Sequence, residues 1–287
     1  MSDVTHFADR LLAACRDKGA PVCVGLDPVV DKMSSSLRAL HPATACGRFC
    51  TAVIDAVADV VPCVKPQSAC FERYGGAGFG AMMQVIEHAR RRGLLVIVDA
   101  KRGDIGISAA HYAVAFAAAD AITVSPYLGD DAVQPFVDAA AKRGGGLFVL
   151  VRTSNPGSDA LQTLQLTDGR SVGDAVADMV VKLGDGHVGR SGYSHVGAVV
   201  GATKPADAAA LRRRMPRQLF LVPGFGAQGG TADDVRACFK DDGQGALVTA
   251  SRSVIYAYAA DGEGTWTQAV TRAAVDLRDQ IATILAK

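Results

Sequence analysis

The run Val96-Ile97-Val98-Asp99-Ala100-Lys101-Arg102-Gly103-Asp104-Ile105-Gly106 places alternating charges at the end of an apolar segment. In an extended strand, residues two apart face the same side. Asp99 and Lys101 are therefore expected to project together from the end of the Leu94–Val98 run. Two carboxylates and an ammonium beside a hydrophobic core are costly unless each is paired. The spacing alone fits two readings: a strand-end salt bridge, or an acid–base site of the kind in which perturbed groups gather.

Other polar groups end other apolar runs. Asp27 follows Gly25-Leu26, Lys65 sits in Val64-Lys65-Pro66, and Ser154 lies in Thr153-Ser154-Asn155-Pro156-Gly157. Taken singly, Asp27 reads as a turn residue before proline and Ser154 as a neighbour of an Asx-Pro turn. With Lys65 and the Asp99–Lys101 pair, however, four strand ends point at one place. Two later segments suit an anion. In Pro223-Gly224-Phe225-Gly226-Ala227-Gln228-Gly229-Gly230 the glycines let backbone amides approach a phosphate, and in Thr249-Ala250-Ser251-Arg252-Ser253 the guanidinium of Arg252 offers a bidentate fork. The plainer alternative is a flexible loop beside a surface arginine.

Positioning these groups requires a scaffold that brings many strand ends together. Eight short apolar runs recur: Pro21–Leu26, Val60–Val64, Leu94–Val98, Ala121–Val124, Leu147–Val151, Val196–Val200, Gln218–Val222 and Ala246–Thr249. Continuous rather than alternating apolarity marks strands covered on both faces. The Ala-rich amphipathic segments supply the crossovers: Thr44–Ala58, Gly78–Arg91, Ser108–Ala118, Asp131–Lys142, Val172–Leu183, Ala206–Arg213, Ala232–Phe239 and Thr265–Ile284. Eight alternations predict an α/β fold, a (β/α)8 TIM barrel, with residues 1–287 as a single domain. Catalytic groups of such barrels sit at the strand C-termini, and phosphate cradles commonly follow the seventh and eighth strands. Ser158–Gly169, with the Gly184–Gly192 stretch, reads as an insertion between the fifth and sixth strands.

Composition excludes several function classes. With 49% hydrophobic and 21% charged residues and a net charge of +1, the chain reads as a soluble globular protein with no basic field for nucleic acid. Phe7, Leu11, Leu12 and Cys15 are spaced as on an amphipathic helix rather than in a signal peptide, and no apolar run reaches membrane-spanning length. The seven cysteines form no CxxC pair and are expected to be reduced thiols in the cytoplasm. His6, His41, His88, His111, His187 and His195 show no metal-ligand spacing and are expected at the surface or as caps, so no metal is expected. The Gly75–Gly80 cluster fails the GxGxxG spacing and is expected as a loop and helix entry.

Val24-Gly25-Leu26-Asp27-Pro28, Lys65-Pro66-Gln67, Phe71-Glu72-Arg73-Tyr74-Gly75, Asp99-Ala100-Lys101-Arg102-Gly103-Asp104-Ile105-Gly106, Ser125-Pro126-Tyr127-Leu128-Gly129, Arg152-Thr153-Ser154-Asn155-Pro156-Gly157, the Pro223–Gly230 segment and Ser251-Arg252-Ser253 occur in this order along the chain. In them the chain resembles the orotidine 5′-phosphate decarboxylase family, in its bacterial subgroup with a longer barrel (type 2). The resemblance implies cofactor-free conversion of orotidine 5′-monophosphate to UMP and carbon dioxide, the last step of de novo UMP synthesis, by a cytoplasmic homodimer with shared active sites. It implies a charged array of Lys65, Asp99, Lys101 and Asp104, with Lys101 protonating C6 of the pyrimidine and Asp104 entering the neighbouring subunit's site. Asp27 is then expected at the ribose hydroxyls, Ser154 at the pyrimidine amide edge, and Gln228 and Arg252 at the phosphate. Pro223 and Ser251 join the substrate-binding set. Ser108 stands where the family commonly has threonine and is also expected to reach across the dimer.

That chemistry agrees with the residue types. Decarboxylation leaves a carbanion with no adjacent π-acceptor, and an ammonium beside it can stabilise the charge and then donate a proton. Flanking carboxylates favour the protonated lysine against desolvation. Binding energy from a remote phosphate can drive closure of the Gly224–Gly230 loop. The nearest alternatives are barrels that share DxK at the third strand, pentulose-phosphate epimerases and hexulose-phosphate synthases with metal-assisted enediolate chemistry. Lys65, the KRGDIG run and the lack of histidine ligands stand against them. A catalytically silent nucleotide-sensing barrel is the alternative from another class, and the complete Lys/Asp array opposes it.

Overall fold

The structure, a computed structural model, describes residues 6–225, 230–260 and 266–286. Its strands are β1 (Val22–Leu26), β2 (Cys63–Pro66), β3 (Leu95–Arg102), β4 (Ala121–Val124), β5 (Gly146–Arg152), β6 (Val196–Val200), β7 (Phe220–Pro223) and β8 (Ala246–Ala250). They pair in parallel in chain order, and β8 returns to β1 to close the barrel. The predicted (β/α)8 barrel is thus the observed fold. Continuous apolarity has the expected cause. Val24, Val64, Val96, Ile122, Val149 and Val222 point outward into the layer shared with the helices, while Cys23, Cys63, Ile97, Ala121, Phe148 and Leu221 fill the barrel interior.

The helix Phe7–Lys18 closes the bottom of that interior by burying Phe7, Leu11, Leu12 and Cys15 against it. Phe7 meets Phe148 edge-on, with ring centroids 6.0 Å apart. Gly146 makes this possible, because a Cβ there would overlap the Phe7 ring. The open end is therefore the opposite mouth, where the strands terminate.

Several boundaries differ from the sequence reading, and two differences bear on the site. Val60 and Val61 are buried but lie in a turn, their amides bonded back to Val57 O, so β2 begins at Cys63 and includes Lys65. Burial without strand pairing carries the same apolar signal. β3 continues to Arg102 through an irregularity in which Val98 to Arg102 runs beside only Ile122 to Val124 of β4. The Gly75 cluster is the helix entry expected of it but not a loop, since the helix Gly75–Arg91 begins at Gly75 itself.

His195 also departs from expectation. It is buried below the barrel, stacked between His6 and His187 with centroids 5.5 and 4.6 Å away, and burial and its neighbours push its pKa down to about 4. His6 does cap, accepting from Ala8 N.

The insertion after β5 contains a 3-10 turn at Pro156–Ser158 and a short helix, Asp159–Gln162. Buried Arg152, at the end of β5, anchors it by pairing with Asp159 and by donating to Ser158 Oγ (2.9 Å) and Gln162 Oε1 (3.3 Å). The same guanidinium reaches Asp207 at 2.7 Å. One strand-end arginine thus ties the insertion to the wall of the barrel.

Candidate active site

Side chains that point into the barrel change character one step above the apolar interior. Two residues beyond Cys63 comes Lys65, beyond Ile97 comes Asp99, beyond Ala121 comes Thr123, and beyond Leu247 comes Thr249. The pleat that buries an apolar layer therefore delivers a polar layer to the same axis. These groups floor a cavity of about 450 Å³ whose rim carries Asp27, Ser154, Asn155, Pro223, Ser251 and Arg252.

Asp99 is the centre of the floor. Its Oδ2 accepts from Lys65 Nζ (2.7 Å) and Gln67 Nε2 (3.3 Å), and its Oδ1 accepts from Lys101 Nζ (2.5 Å) and Thr123 Oγ1 (3.0 Å). A carboxylate offers about four lone-pair sites, so Asp99 is saturated. It holds two ammonium groups together.

The electrostatics follow from that arrangement. Burial would raise the Asp99 pKa, but Lys65 and Lys101 outweigh it and hold the carboxyl well below its ordinary range. Burial would likewise lower Lys65, yet Asp99 and Asp27 hold its ammonium above its ordinary value. The stability contributed by Asp99 is present above its unfolded pKa of about 3.9 and lost as pH falls through the depressed value. That of Lys65 is present below about 10.4 and lost only as pH rises through the raised value. The floor is thus charged throughout the neutral range. Lys101 differs in exposure, its side chain being 46% accessible against 8% for Lys65, so it is the more open of the two ammonium groups that line the cavity.

The cavity also contains polar atoms without protein partners, one on the floor and two on the rim. Asp27 Oδ1, Thr249 Oγ1 and Ser251 Oγ are buried and accept or donate no hydrogen bond. Buried hydroxyls and carboxylates left unpaired are costly, which marks these three as groups kept for a ligand. Gly25 permits the approach of Ser251, since a Cβ there would lie 2.8 Å from Ser251 Cβ. Tyr256 fixes the Asp27 turn by donating to Asp27 O (3.1 Å) and accepting from Val29 N (2.7 Å). Arg252 opens the short helix Arg252–Ile255 directly after β8 and is exposed at the mouth.

Of the sequence-predicted residues, Lys65, Asp99, Lys101, Asp27, Ser154, Pro223, Ser251 and Arg252 all line this one cavity. Asp104 and Ser108 do not. Asp104 accepts from its neighbour Ile105 N at 2.8 Å, and Ser108 is exposed on the helix Gly106–Ala115. Gln228 lies outside the described residues. Sequence reasoning missed Thr123, although a lone polar residue inside the apolar Ala121–Val124 strand was the available signal. It also missed Gln162, which lines the cavity and joins the insertion to Thr153 through Thr153 N to Oε1 (2.9 Å) and Nε2 to Thr153 Oγ1 (3.0 Å). Among the described residues no group of three or more His, Cys, Asp or Glu side chains is placed to hold a metal ion. No helix among them is long and apolar enough to cross a membrane.

Comparison with known proteins bears on this arrangement. The sequence model described as "Orotidine 5'-phosphate decarboxylase / HUMPS family" matches residues 20–264. The orotidine 5′-phosphate decarboxylase of Rhodopirellula baltica is 45% identical over 299 residues, covering 96% of this chain and 98% of that protein. That of Deinococcus radiodurans is 41% identical, covering 96% of each. Among solved structures, Leishmania donovani OMP decarboxylase superposes with a TM-score of 0.80 at 33% identity, covering 99% of this chain and 100% of the other.

Proposed function

The chain belongs to the orotidine 5′-phosphate decarboxylase / HUMPS family, and on that premise we propose that it converts orotidine 5′-monophosphate to UMP and carbon dioxide with its own side chains alone. The observation that carries this reading is the saturated Asp99, which clamps Lys65 and Lys101 at the floor of the cavity. The bond from C6 to the carboxylate breaks, carbon dioxide leaves, and the electron pair stays on C6. Lys101 faces that pair with an ammonium, delivers one proton to C6, and regains it from water. An ammonium fixed in place before charge develops costs no reorganisation during the reaction.

The rim supplies binding remote from the reacting carbon. Asp27 Oδ1 suits ribose hydroxyls, Ser154 the amide edge of the base, and Ser251 and Arg252 the phosphate, with Pro223 shaping the wall between them. The function is tested by following substrate loss in the ultraviolet and trapping carbon dioxide, before and after exhaustive EDTA dialysis. Equal rates are expected. Activity lost on dialysis and restored by a divalent ion would overturn the mechanism.

Arg252→Ala is expected to lower kcat/KM for the phosphorylated substrate about 100-fold, the worth of a charged hydrogen-bonding pair, and to change turnover of orotidine by less than about threefold. Free guanidinium is expected to restore part of the loss. Equal damage to both substrates would assign Arg252 a general structural role.

The working unit in this reading is a homodimer. Asp104 and Ser108 are absent from the lining of their own cavity and lie in segments that expose Ile105, Ile107, Tyr112, Val114, Tyr127 and Leu128. The two segments adjoin, since Ser125 N donates to Arg102 O at 2.7 Å. An apolar face of this kind marks a protein contact, and a second copy of the chain would bring Asp104 to the partner cavity. All seven cysteines are free thiols, which suits a reducing cytoplasm.

A further inference from the structure

Lys101 is the one non-glycine residue with positive φ among the described residues, at 49°. That backbone region is unfavourable for any residue with a Cβ, and it persists only where surrounding contacts hold it. The holding contact is visible. Lys101 N donates to Thr123 Oγ1 at 2.9 Å, across the stretch where β3 and β4 lose register between Val98 and Arg102. The same hydroxyl donates to Asp99 Oδ1 at 3.0 Å. An amide can only donate and a carboxylate only accept, so the direction of the hydroxyl hydrogen is settled by its two partners.

We propose that Thr123 is the positioning residue of this site: its hydroxyl pins the left-handed backbone of Lys101 to the carboxylate that receives Lys101 Nζ. The inference rests on the decarboxylase reading above and deepens it by naming what places the proton donor. Thr123 is almost completely buried in β4 and lines the cavity floor, so its β-branched side chain has one rotamer choice set by packing. Without the hydroxyl, Lys101 N–H loses its acceptor inside the bulge. The backbone then relaxes toward negative φ and swings Nζ away from Asp99 Oδ1. The floor keeps Lys65 and Gln67 on Oδ2, so the fold and the rim stay in place.

The test compares Thr123→Val, which keeps shape and removes the hydroxyl, with Thr123→Ser, which keeps the hydroxyl and removes a methyl group. For Thr123→Val, kcat is expected to fall about 10- to 100-fold, the range for a lost hydrogen bond to a charged group, with UMP affinity changed by less than about threefold. Thr123→Ser is expected to stay within about threefold of wild type. A residue that only fills the wall predicts the reverse order, with valine active and serine impaired, and that order overturns the inference. Wild-type protein that releases no carbon dioxide would instead overturn the decarboxylase reading. The geometric claim is then read from a crystal structure of Thr123→Val. Loss of the positive φ at Lys101 supports it. Retention of that φ with Lys101 Nζ still on Asp99 refutes it, whatever the reaction.

Discussion

Lys101→Ala is expected to lower kcat/KM for orotidine 5′-monophosphate by at least about 10⁴-fold while the protein stays folded. Two effects are lost together. General acid catalysis by a positioned group contributes about 10²–10⁴-fold, and one preorganised charge-stabilising donor about 10²–10³-fold. A single ammonium supplying both gives about 10⁴–10⁷-fold, or roughly 5–10 kcal/mol of barrier. The fold survives because Asp99 keeps Lys65, Gln67 and Thr123 as donors when Lys101 is gone. Lys101 is also half-exposed, so its removal opens no cavity in the core. Thermal midpoint and UMP binding are the controls. Lys101→Arg is expected to fail as a replacement, since a guanidinium is planar and does not give up its proton in this range. A Lys101→Ala enzyme within about 100-fold of wild type would leave general acid catalysis by Lys101 without support.

In the proposed reading, the rim and the charged floor divide the work between them. Arg252 and Ser251 lie at the end of β8, whereas Lys65 and Asp99 rise from β2 and β3. If the first pair holds the phosphate, its contacts do not change as the bond at C6 breaks, and their energy serves to hold the pyrimidine against the second. A damaged rim therefore lowers kcat/KM through positioning, and a damaged floor through the chemical step itself. The Arg252 and Lys101 variants separate the two.

Much of this arrangement was legible in the residues before any coordinates. The barrel followed from eight apolar runs because two-sided burial imposes unbroken apolarity on each strand. Asp27, Lys65, Asp99, Lys101 and Arg252 were legible because charge at the end of a buried strand has few structural uses. Plain two-residue alternation predicts the pair, but the structure joins them through a bulge with Lys101 at positive φ, and sequence spacing does not encode a bulge. The β2 boundary shifted because Val60 and Val61 are as buried as strand residues while bonding as a turn. Thr123 and Gln162 went unnoticed because a neutral polar residue in a strand or a short helix carries little signal until its hydrogen-bond partners are known. Ser108 and Asp104 illustrate the opposite case, since their place outside the cavity fits the proposed reading only if a second copy of the chain completes the site.

Mixing two inactive variants, Lys101→Ala and Asp104→Ala, under conditions that exchange subunits is expected to restore activity. If Asp104 acts across a dimer, each site combines Lys101 of one chain with Asp104 of the other. A hybrid then holds one site with both groups intact and one with neither. Equal mixing makes about half the dimers hybrids with one working site in two, so activity should return to about a quarter of wild type. The geometry motivates this expectation. Asp104 lies beyond the end of β3 at Arg102, its carboxylate accepts from Ile105 N, and it is absent from the lining of its own cavity. The neighbouring Ile105 and Ile107 are 60% and 77% exposed, an apolar surface that a single chain leaves uncovered. If Asp104 served its own chain, every hybrid site would lack one group and mixing would restore nothing. Native mass spectrometry distinguishes that result from a failure to exchange, because it counts the hybrids directly. Hybrids present without activity would refute the shared site and, with it, the argument that catalysis requires the dimer.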